Sequence, residues 1–288
     1  MTGRKIKRIL KILSGIFAVL LITFYFLVNY FINPKSDEKI RDTFADVNME
    51  PVLRYLDFKG EQVRRIQMKP SFDSLLPTLV FVHGSPGSFM DFKRYLSDST
   101  LNKKANMIAY DRIGYGVNNK GRVLKNLEEE IAVLDKVLTG INLSNVILIG
   151  YSYGGTLVMA ADKNYRAKIA LAPSVRGDLE PMFWLMNLTR WKLSKPFIPK
   201  VFLAASSEKF RHVEELPEFD NRWNRSLSKV MAIHGEKDRI VPFENSVYLK
   251  EIFEKKKFSL IPIKEGNHSL IWTNFDLIRE EVIKSLED

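Results

Sequence analysis

The stretch Gly150-Tyr151-Ser152-Tyr153-Gly154-Gly155 restricts the fold of this chain more than any other part of the sequence. It follows the apolar run 145–149 and precedes a small-residue stretch with helical character at 156–161. A serine with small neighbours on both sides can occupy a sharp strand-to-helix turn, where its backbone is strained and its hydroxyl is exposed. The helix that follows directs its free N–H groups at the reacting atom. The sequence therefore predicts a nucleophilic serine between a buried strand and a helix.

Short apolar runs recur along the rest of the chain and alternate with helical patterns. A β-hairpin is predicted first, and the later runs suit strands that are buried on both faces of a sheet. This order predicts an α/β fold with a doubly wound, mostly parallel sheet. The predicted hairpin strands are 54–58 and 64–68, the later strands 79–82, 107–110, 146–149, 169–171, 230–233 and 258–262, and the helices 127–137, 244–253 and 270–286.

The N-terminal part of the chain has the pattern of a membrane anchor. Residues 12–32 carry no charge, and a helix of that length spans about 30 Å, the thickness of a bilayer core. A basic cluster precedes this segment, whereas 35–39 is mixed in charge. The positive-inside rule therefore predicts a cytoplasmic N-terminus and an extracytoplasmic globular part. A cleaved signal peptide is the alternative, but the apolar core is long and no small-residue cleavage site follows it. The basic cluster consists of Arg4, Lys5, Lys7, Arg8 and Lys11.

Four parts follow from these patterns. Residues 1–11 are predicted to be a basic cytoplasmic N-terminus, 12–32 the single transmembrane anchor, 33–52 a polar linker with a short helical tendency, and 53–288 the globular domain. Within that domain, 174–228 interrupts the strand pattern and is rich in Trp, Met and Phe. We expect a mainly helical insertion, which could roof a substrate pocket or use its aromatic side chains only to pack against the sheet.

Composition excludes several kinds of site. The chain has no cysteine, which rules out disulfides, thiol catalysis and thiolate metal ligands. Its histidines are scattered without helical pairing, so neither a metal nor another cofactor is expected; His83 and His234 each precede a glycine at a strand end and are expected to be structural. The net charge of +10 accompanies no nucleic-acid motif, so we expect no nucleic-acid partner.

Two residues far along the chain could complete a catalytic triad with Ser152. A serine nucleophile needs a base within hydrogen-bond reach and a third group that orients this base. His268 and Asp238 each follow a predicted strand. Strand ends at one edge of a parallel sheet converge, so the three side chains can meet, and their chain order is the one expected for such a site. Asp178, after the preceding strand, is the alternative acid.

Two backbone N–H groups are predicted to form an oxyanion hole for an acyl-transfer intermediate. One belongs to Tyr153, directly after the serine. The other is expected in the turn His83-Gly84-Ser85-Pro86-Gly87, where small residues let the backbone approach the substrate closely. Ser85 is the best candidate for this second donor.

Taken together, these motifs resemble those of the α/β-hydrolase superfamily. The resemblance runs from residue 52 to the C-terminus, with the motifs in the family's order and approximate spacing. It implies Ser152 as the nucleophile, His268 as the base and Asp238 as the acid that orients the base. It also implies that 174–228 is the family's cap domain. The motifs are 83–87, 110–116, 150–155, 234–242 and 266–268.

The leading hypothesis is a membrane-anchored serine hydrolase of the carboxylesterase or lipase type, which acts without a cofactor on a small acyl substrate that could be apolar. An aminopeptidase of the proline-iminopeptidase type is the second reading, although Ser85 stands where that family usually has glycine. A third is a non-catalytic binding or scaffold protein that retains the fold. The cap carboxylates that could hold the amine of an aminopeptidase substrate are Glu208, Glu214, Glu215 and Glu218.

Overall fold

Eight strands form one sheet in the computed structural model, which describes residues 3–287; Met1, Thr2 and Asp288, at the ends of the predicted segments, lie outside the described residues. The strand order is β1-β2-β4-β3-β5-β6-β7-β8. The pairs β1–β2 and β2–β4 are antiparallel and the others are parallel. The strands are β1 (Val52–Phe58), β2 (Glu61–Gln67), β3 (Thr78–Val82), β4 (Asn106–Tyr110), β5 (Val146–Tyr151), β6 (Ala167–Leu171), β7 (Lys229–Gly235) and β8 (Phe258–Ile263).

Helices cover both faces of this sheet, which explains why the central strands are apolar throughout. In β3, Val80 belongs to an apolar cluster shared with α5 and α6, whereas Phe81 belongs to a second cluster shared with α10. The predicted doubly wound, mostly parallel sheet is thereby confirmed. The helices are α1 (Gly3–Ile32), α2 (Asp37–Ala45), α3 (Lys93–Leu96), α4 (Ser99–Lys104), α5 (Leu127–Val137), α6 (Tyr153–Ala160), α7 (Lys200–Phe219), α8 (Glu244–Ile252), α9 (Leu270–Thr273) and α10 (Phe275–Glu287).

Helix α1 is one continuous apolar helix whose surface is mostly exposed. Its stretch Lys7–Ile32 is long and apolar enough to cross a membrane, with a mean hydropathy of 2.3 over 18 residues. The C-terminal end of the helix contacts the sheet domain and its insertion. There Ile32 packs against Tyr115, Val201 and Ala204.

The segment expected to be a linker is partly folded onto the sheet domain. Ser36 caps the N-terminus of α2 by accepting a hydrogen bond from the Lys39 N–H, and Ile40 and Phe44 are fully buried in the second apolar cluster. The Asp37 carboxylate also pairs with Arg64 of β2 at 2.8 Å. Burial of two large apolar side chains and an ion pair fix α2 against the domain.

One expected helix is divided in the structure. The C-terminal segment is not one helix over 270–286 but two, because Asn274 adopts a non-helical backbone with ψ of 33° between α9 and α10. Asparagine competes for backbone hydrogen bonds and so favours helix ends. The insertion between β6 and β7 contains the 20-residue helix α7 together with short 3-10 turns, at Gly177–Leu179, Trp184–Arg190, Lys195–Phe197 and Trp223–Arg225.

Candidate active site

The turn between β5 and α6 holds Ser152 in a strained backbone conformation, with φ of 55° and ψ of −121°. The flanking glycines allow this turn because the chain is packed tightly around it. A Cβ atom on Gly150 would lie 2.1 Å from the carbonyl oxygen of Gly154, and one on Gly154 would lie 2.1 Å from that of Val82. No larger residue fits at either position, so the glycines present the Ser152 hydroxyl at the N-terminus of α6.

His268 lies beside this hydroxyl, on the loop between β8 and α9. Its Nε2 atom is 3.1 Å from Ser152 Oγ, a distance at which the hydroxyl can donate a hydrogen bond to the ring. The Tyr151 hydroxyl donates to the His268 carbonyl oxygen at 2.7 Å. The residue before the serine therefore holds the backbone of the histidine.

Asp238, on the loop after β7, approaches the other side of the imidazole. Its Oδ2 atom lies 2.7 Å from His268 Nδ1, while Oδ1 accepts from the N–H groups of Ile240 and Val241. Burial opposes ionisation of this carboxylate, but hydrogen bonds from His234, His268 and Val241 outweigh burial and lower the pKa of Asp238 below its usual range. The arrangement favours an ionised Asp238 that accepts the Nδ1 proton and leaves Nε2 free to accept one.

The alternative acid lies in a different environment. The Asp178 side chain is 60% exposed and pairs with Arg176. Because the Asp238 carboxylate already occupies the Nδ1 side of the imidazole, the geometry favours Asp238 over Asp178 as the partner of His268.

The residues of the two predicted oxyanion donors line the same cavity as Ser152. The turn after β3 packs directly on the serine, because a Cβ on Gly84 would meet Ser152 Cβ at 3.1 Å. Ser85, Ser152 and Tyr153 all line one cavity. Within residues 3–287, the N–H groups of Ser85 and Tyr153 have no hydrogen-bond acceptor. Neither N–H group is therefore engaged by another part of the described chain.

A buried ion-pair network lies beneath this turn and joins it to the cap. Arg112, after β4, donates to Glu130 of α5 at 3.2 Å and to Glu208 of α7 at 2.7 Å. Burial alone would lower the pKa of Arg112, but the two carboxylates raise it well above its usual value. The Tyr115 hydroxyl donates to Glu208 and lies 2.7 Å from Ser85 Oγ. The network thus connects the cap helix to the predicted oxyanion turn.

The sequence alone assigns this network no role. In the sequence Arg112 is only one member of a motif, Glu208 is a candidate ligand for a substrate amine, and Asp111 is expected to bond within its own loop. That last expectation is wrong, because Asp111 pairs with Arg64 of β2 at 2.7 Å. The one local signal is a pair of charged residues, Asp111 and Arg112, directly after a strand that is buried throughout. Charges in such a position must find buried partners.

The remaining histidines are buried. His83 accepts a hydrogen bond from the Arg112 N–H at 3.0 Å, and burial lowers its pKa to about 3. His234 contacts Ser246 Oγ and the Val241 carbonyl oxygen. These contacts agree with the structural roles expected for both. His212, which lines the cavity, also has its pKa lowered to about 3 by burial.

The cavity has a volume of about 280 Å³ and is bounded on one side by the cap. Phe183, Met186 and Phe202 give it an apolar wall, whereas Glu180 and Lys209 form an ion pair at another part of the wall. The carboxylates considered for an aminopeptidase lie elsewhere: Glu208 is bound in the buried network, Glu215 pairs with Arg211, and Glu214 and Glu218 are exposed.

A candidate metal site is absent from the part of the chain that the structure describes. No group of three or more His, Asp or Glu side chains among these residues is arranged to hold a metal ion.

The part of the chain that carries this site is similar to known proteins. A model of the alpha/beta hydrolase family matches residues 79–277. The matched region begins in β3 and ends in α10, and it includes Ser152, Asp238 and His268. A 2-hydroxy-6-oxo-2,4-heptadienoate hydrolase of Pseudomonas putida (strain F1) is 23% identical over 215 residues, which are 61% of this chain and 77% of that protein.

Solved structures show the same fold. A bacterial membrane phospholipase A superimposes with a TM-score of 0.66 at 13% identity and covers 98% of both chains. A putative lipase of Acinetobacter baumannii superimposes with a TM-score of 0.65 at 15% identity, over 87% of this chain and 95% of its own. At these identities the likeness concerns the fold.

Proposed function

The chain belongs to the alpha/beta hydrolase family, and we propose that it is a membrane-anchored serine hydrolase that cleaves an ester or a related acyl bond. The observation that carries the proposal is the chain of contacts from Ser152 Oγ to His268 Nε2 at 3.1 Å and from His268 Nδ1 to Asp238 Oδ2 at 2.7 Å. This series of contacts begins at Ser152, which lines the cavity, so a substrate can reach the Ser152 hydroxyl.

In the proposed reaction, Ser152 Oγ attacks the carbonyl carbon of the substrate while His268 Nε2 takes the hydroxyl proton. Asp238 stabilises the resulting imidazolium without being protonated itself. The same proton then passes from His268 to the leaving group as the bond to the acyl carbon breaks. A water molecule, activated by His268 in the same way, releases the acid from Ser152 and restores the enzyme.

The negative charge that develops on the carbonyl oxygen needs fixed donors. The proposal assigns them to the N–H groups of Ser85 and Tyr153, which have no acceptor within residues 3–287 and belong to residues that line the cavity. The dipole of α6 points its positive end at the same position. Loss of one such donor typically costs about 10²–10³ in turnover.

An ester or lipase-type substrate is favoured over a peptide with a free N-terminus. The aromatic and methionine side chains of the cavity suit an acyl chain. An aminopeptidase would need an unpaired carboxylate in the cavity, and Glu180 there is already paired with Lys209. A scaffold protein would have no use for a serine held in a strained turn beside a histidine.

A fluorophosphonate probe tests the proposed nucleophile. Full-length protein in detergent should be labelled at Ser152 and should hydrolyse p-nitrophenyl butyrate. Ser152→Ala should lose the label and at least about a thousandfold in turnover. Ser174→Ala is the matched control, because Ser174 also lines the cavity but its hydroxyl has no hydrogen-bond partner among the described residues. Folded wild-type protein that takes no label would favour the scaffold reading.

The proposal also includes an orientation in the membrane. The basic residues before the apolar part of α1 favour a cytoplasmic N-terminus and an extracytoplasmic catalytic domain. Protease added to sealed inside-out vesicles should remove an N-terminal epitope and leave a C-terminal epitope intact. The opposite pattern would reverse the orientation, and release of the protein by alkaline carbonate would refute the anchor.

A further inference from the structure

The cap exposes an unusual amount of apolar surface between Met182 and Phe197. Trp184 is 73% exposed, Phe197 75% and Leu193 89%. By contrast, Trp223, in the same insertion, is fully buried. Large exposed apolar patches on a folded domain mark surfaces that bind a partner or a membrane. We call this surface the cap rim; it consists of Met182, Phe183, Trp184, Leu185, Trp191, Leu193 and Phe197.

The chain segment that carries the cap rim has charges of one sign. The chain contains no acidic residue between Glu180 and Glu208, whereas that interval contains Arg190, Lys192, Lys195 and Lys200. All four basic side chains are exposed. A surface that combines Trp, Leu and Phe with Lys and Arg, without acids, is complementary to the interface of an anionic bilayer.

The cap rim also lies next to the end of the proposed anchor. Ile32, the last residue of α1, packs against Val201 and Ala204 in the first turns of α7. Phe197 precedes Val201 by four residues, so its Cα lies within about 14 Å of the Val201 Cα. Contact between Lys120 Nζ and Asn33 Oδ1 at 2.9 Å holds the end of the anchor on this side of the domain. The Phe197 end of the cap rim therefore lies near the end of α1, where the helix would enter a bilayer.

The cap rim and the cavity share part of their walls. Phe183 is exposed on the rim and also lines the cavity that contains Ser152, and Met186 lines the same cavity. An acyl chain that leaves the bilayer at the rim thus meets an apolar path toward the serine.

From these four observations we infer that the cap rim docks on the anionic leaflet that the anchor enters, and that the cavity takes an acyl amphiphile directly from this leaflet. The inference rests on the proposed function and names the source and class of its substrate. Docking needs no further protein partner, because the rim supplies both the apolar side chains and the basic residues that a lipid surface requires.

Tryptophan fluorescence tests the docking without any reference to turnover. The chain has four tryptophans and none in α1, so quenching reports on the globular part alone. We would reconstitute the full-length protein in vesicles of equal parts phosphatidylcholine and phosphatidylglycerol. The acyl chains of these lipids carry bromine just below the headgroups, where it quenches any tryptophan that enters the bilayer surface. Strong quenching is expected for wild-type protein and for Trp272→Phe. The Trp184→Phe/Trp191→Phe variant should lose most of the quenching.

Trp272 is the matched control because it is also exposed but lies on α9, outside the cap. Equal quenching of the double variant and wild type would overturn the inference, as would absence of quenching in all three proteins. These outcomes are independent of the proposed function, since hydrolysis of soluble p-nitrophenyl butyrate by the same preparations tests it separately.

A charge reversal tests the lipid specificity. The readout is the ratio of turnover on a long-chain ester dispersed in anionic vesicles to turnover on soluble p-nitrophenyl butyrate. Lys192→Glu/Lys195→Glu/Lys200→Glu should lower this ratio by about tenfold or more, because anionic lipid then repels the rim. Lys255→Glu/Lys256→Glu/Lys257→Glu makes the same change of charge at exposed positions outside the cap and should leave the ratio unchanged. Equal effects of the two variants would overturn the inference.

Discussion

The edge of the sheet around Ser152 and the cap rim differ in how firmly their side chains are held. Ser152, Asp238 and His268 are each held by hydrogen bonds or packing from residues that have no part in the proposed chemistry, such as Tyr151 and Val241. Trp184 and Leu193 on the cap rim, in contrast, are mostly surrounded by solvent.

The difference reflects two kinds of requirement: the sheet edge must hold atoms at fixed distances, whereas the cap rim has only to bind a surface. A proton transfer requires atoms within hydrogen-bond distance, so the sheet edge must be rigid. A lipid surface is fluid and has no fixed geometry, so side chains that meet it need apolar area and charge but no fixed position. The molecule therefore concentrates its packing where the reaction needs it and leaves the rim with little internal support.

The largest effect is expected for the base at the sheet edge. His268→Gln should lower turnover on p-nitrophenyl butyrate by about 10³–10⁴-fold, because the side chain can no longer take the Ser152 proton. His212→Gln is the comparison, since His212 lines the same cavity but is not the hydrogen-bond partner of Ser152. It should lose less than about tenfold in turnover. Stopped assays on p-nitrophenyl butyrate, with both variants shown to be folded, would measure the two turnover rates. Equal losses would contradict His268 as the base.

The second effect concerns the packing that supports the turn. Gly154→Ala should destabilise the protein by about 3 kcal/mol or more, because its Cβ would lie 2.1 Å from the Val82 carbonyl oxygen. Gly140→Ala tests strain without a clash, since Gly140 has φ of +81° and a Cβ added there would meet no described atom within 4 Å. It should cost about 1–2 kcal/mol. Denaturant unfolding measures both, and similar losses would argue against tight packing at the turn.

A third effect links the two regions through the buried network. Glu208→Gln should destabilise the protein by about 1–3 kcal/mol, because Arg112 loses its closest carboxylate. Turnover should also fall, since Tyr115, which contacts Ser85 of the predicted oxyanion turn, then loses the Glu208 carboxylate as its hydrogen-bond acceptor. Glu215→Gln, on the same helix but part of a partly exposed pair with Arg211, should cost less than about 0.5 kcal/mol. If both variants behave alike, the network does not couple the cap to the turn.

A fourth prediction concerns pH. The pKa of Asp238 is lower in the folded chain than in the unfolded chain, so its contribution to stability is present above the unfolded value of about 4 and is lost as pH falls through the folded value. Wild-type protein should therefore exceed Asp238→Asn in unfolding free energy by about 1 kcal/mol from pH 5 to pH 8. The gap should narrow below about pH 4. A gap that widens in acid would mean that the carboxylate is not stabilised in its ionised form.

The smallest effect is expected on the cap rim. Leu193→Ser should change the unfolding free energy by less than about 0.5 kcal/mol, because the side chain is mostly exposed and buries little area. Leu216→Ser, a fully buried position of the same insertion, should cost several times more. Thermal unfolding in detergent compares them, and a large loss for Leu193→Ser would show that the rim is packed internally.

The fold could be predicted well from the sequence because its strands are continuous apolar runs, such as 79–82 and 146–149, that period and composition identify directly. The candidate site followed from the same pattern, since Asp238 and His268 stand where two of these runs end. Contacts between distant charges could not be foreseen. Glu208 binds Arg112 across 96 positions of the chain, and the amphipathic pattern of α2 did not reveal that Ile40 and Phe44 lie on the sheet domain.

The short connection between α1 and α2 has a consequence for how substrate is encountered. Arg64 of β2 donates to the Lys35 carbonyl oxygen and to Asp37, so the chain is held against the domain within a few residues of the end of α1. With α1 in a bilayer as proposed, a domain attached this closely stays at a fixed distance from the membrane and diffuses laterally together with the helix. In the proposed setting its search for substrate is two-dimensional, and its rate should follow the mole fraction of substrate in the leaflet rather than the concentration in the surrounding water.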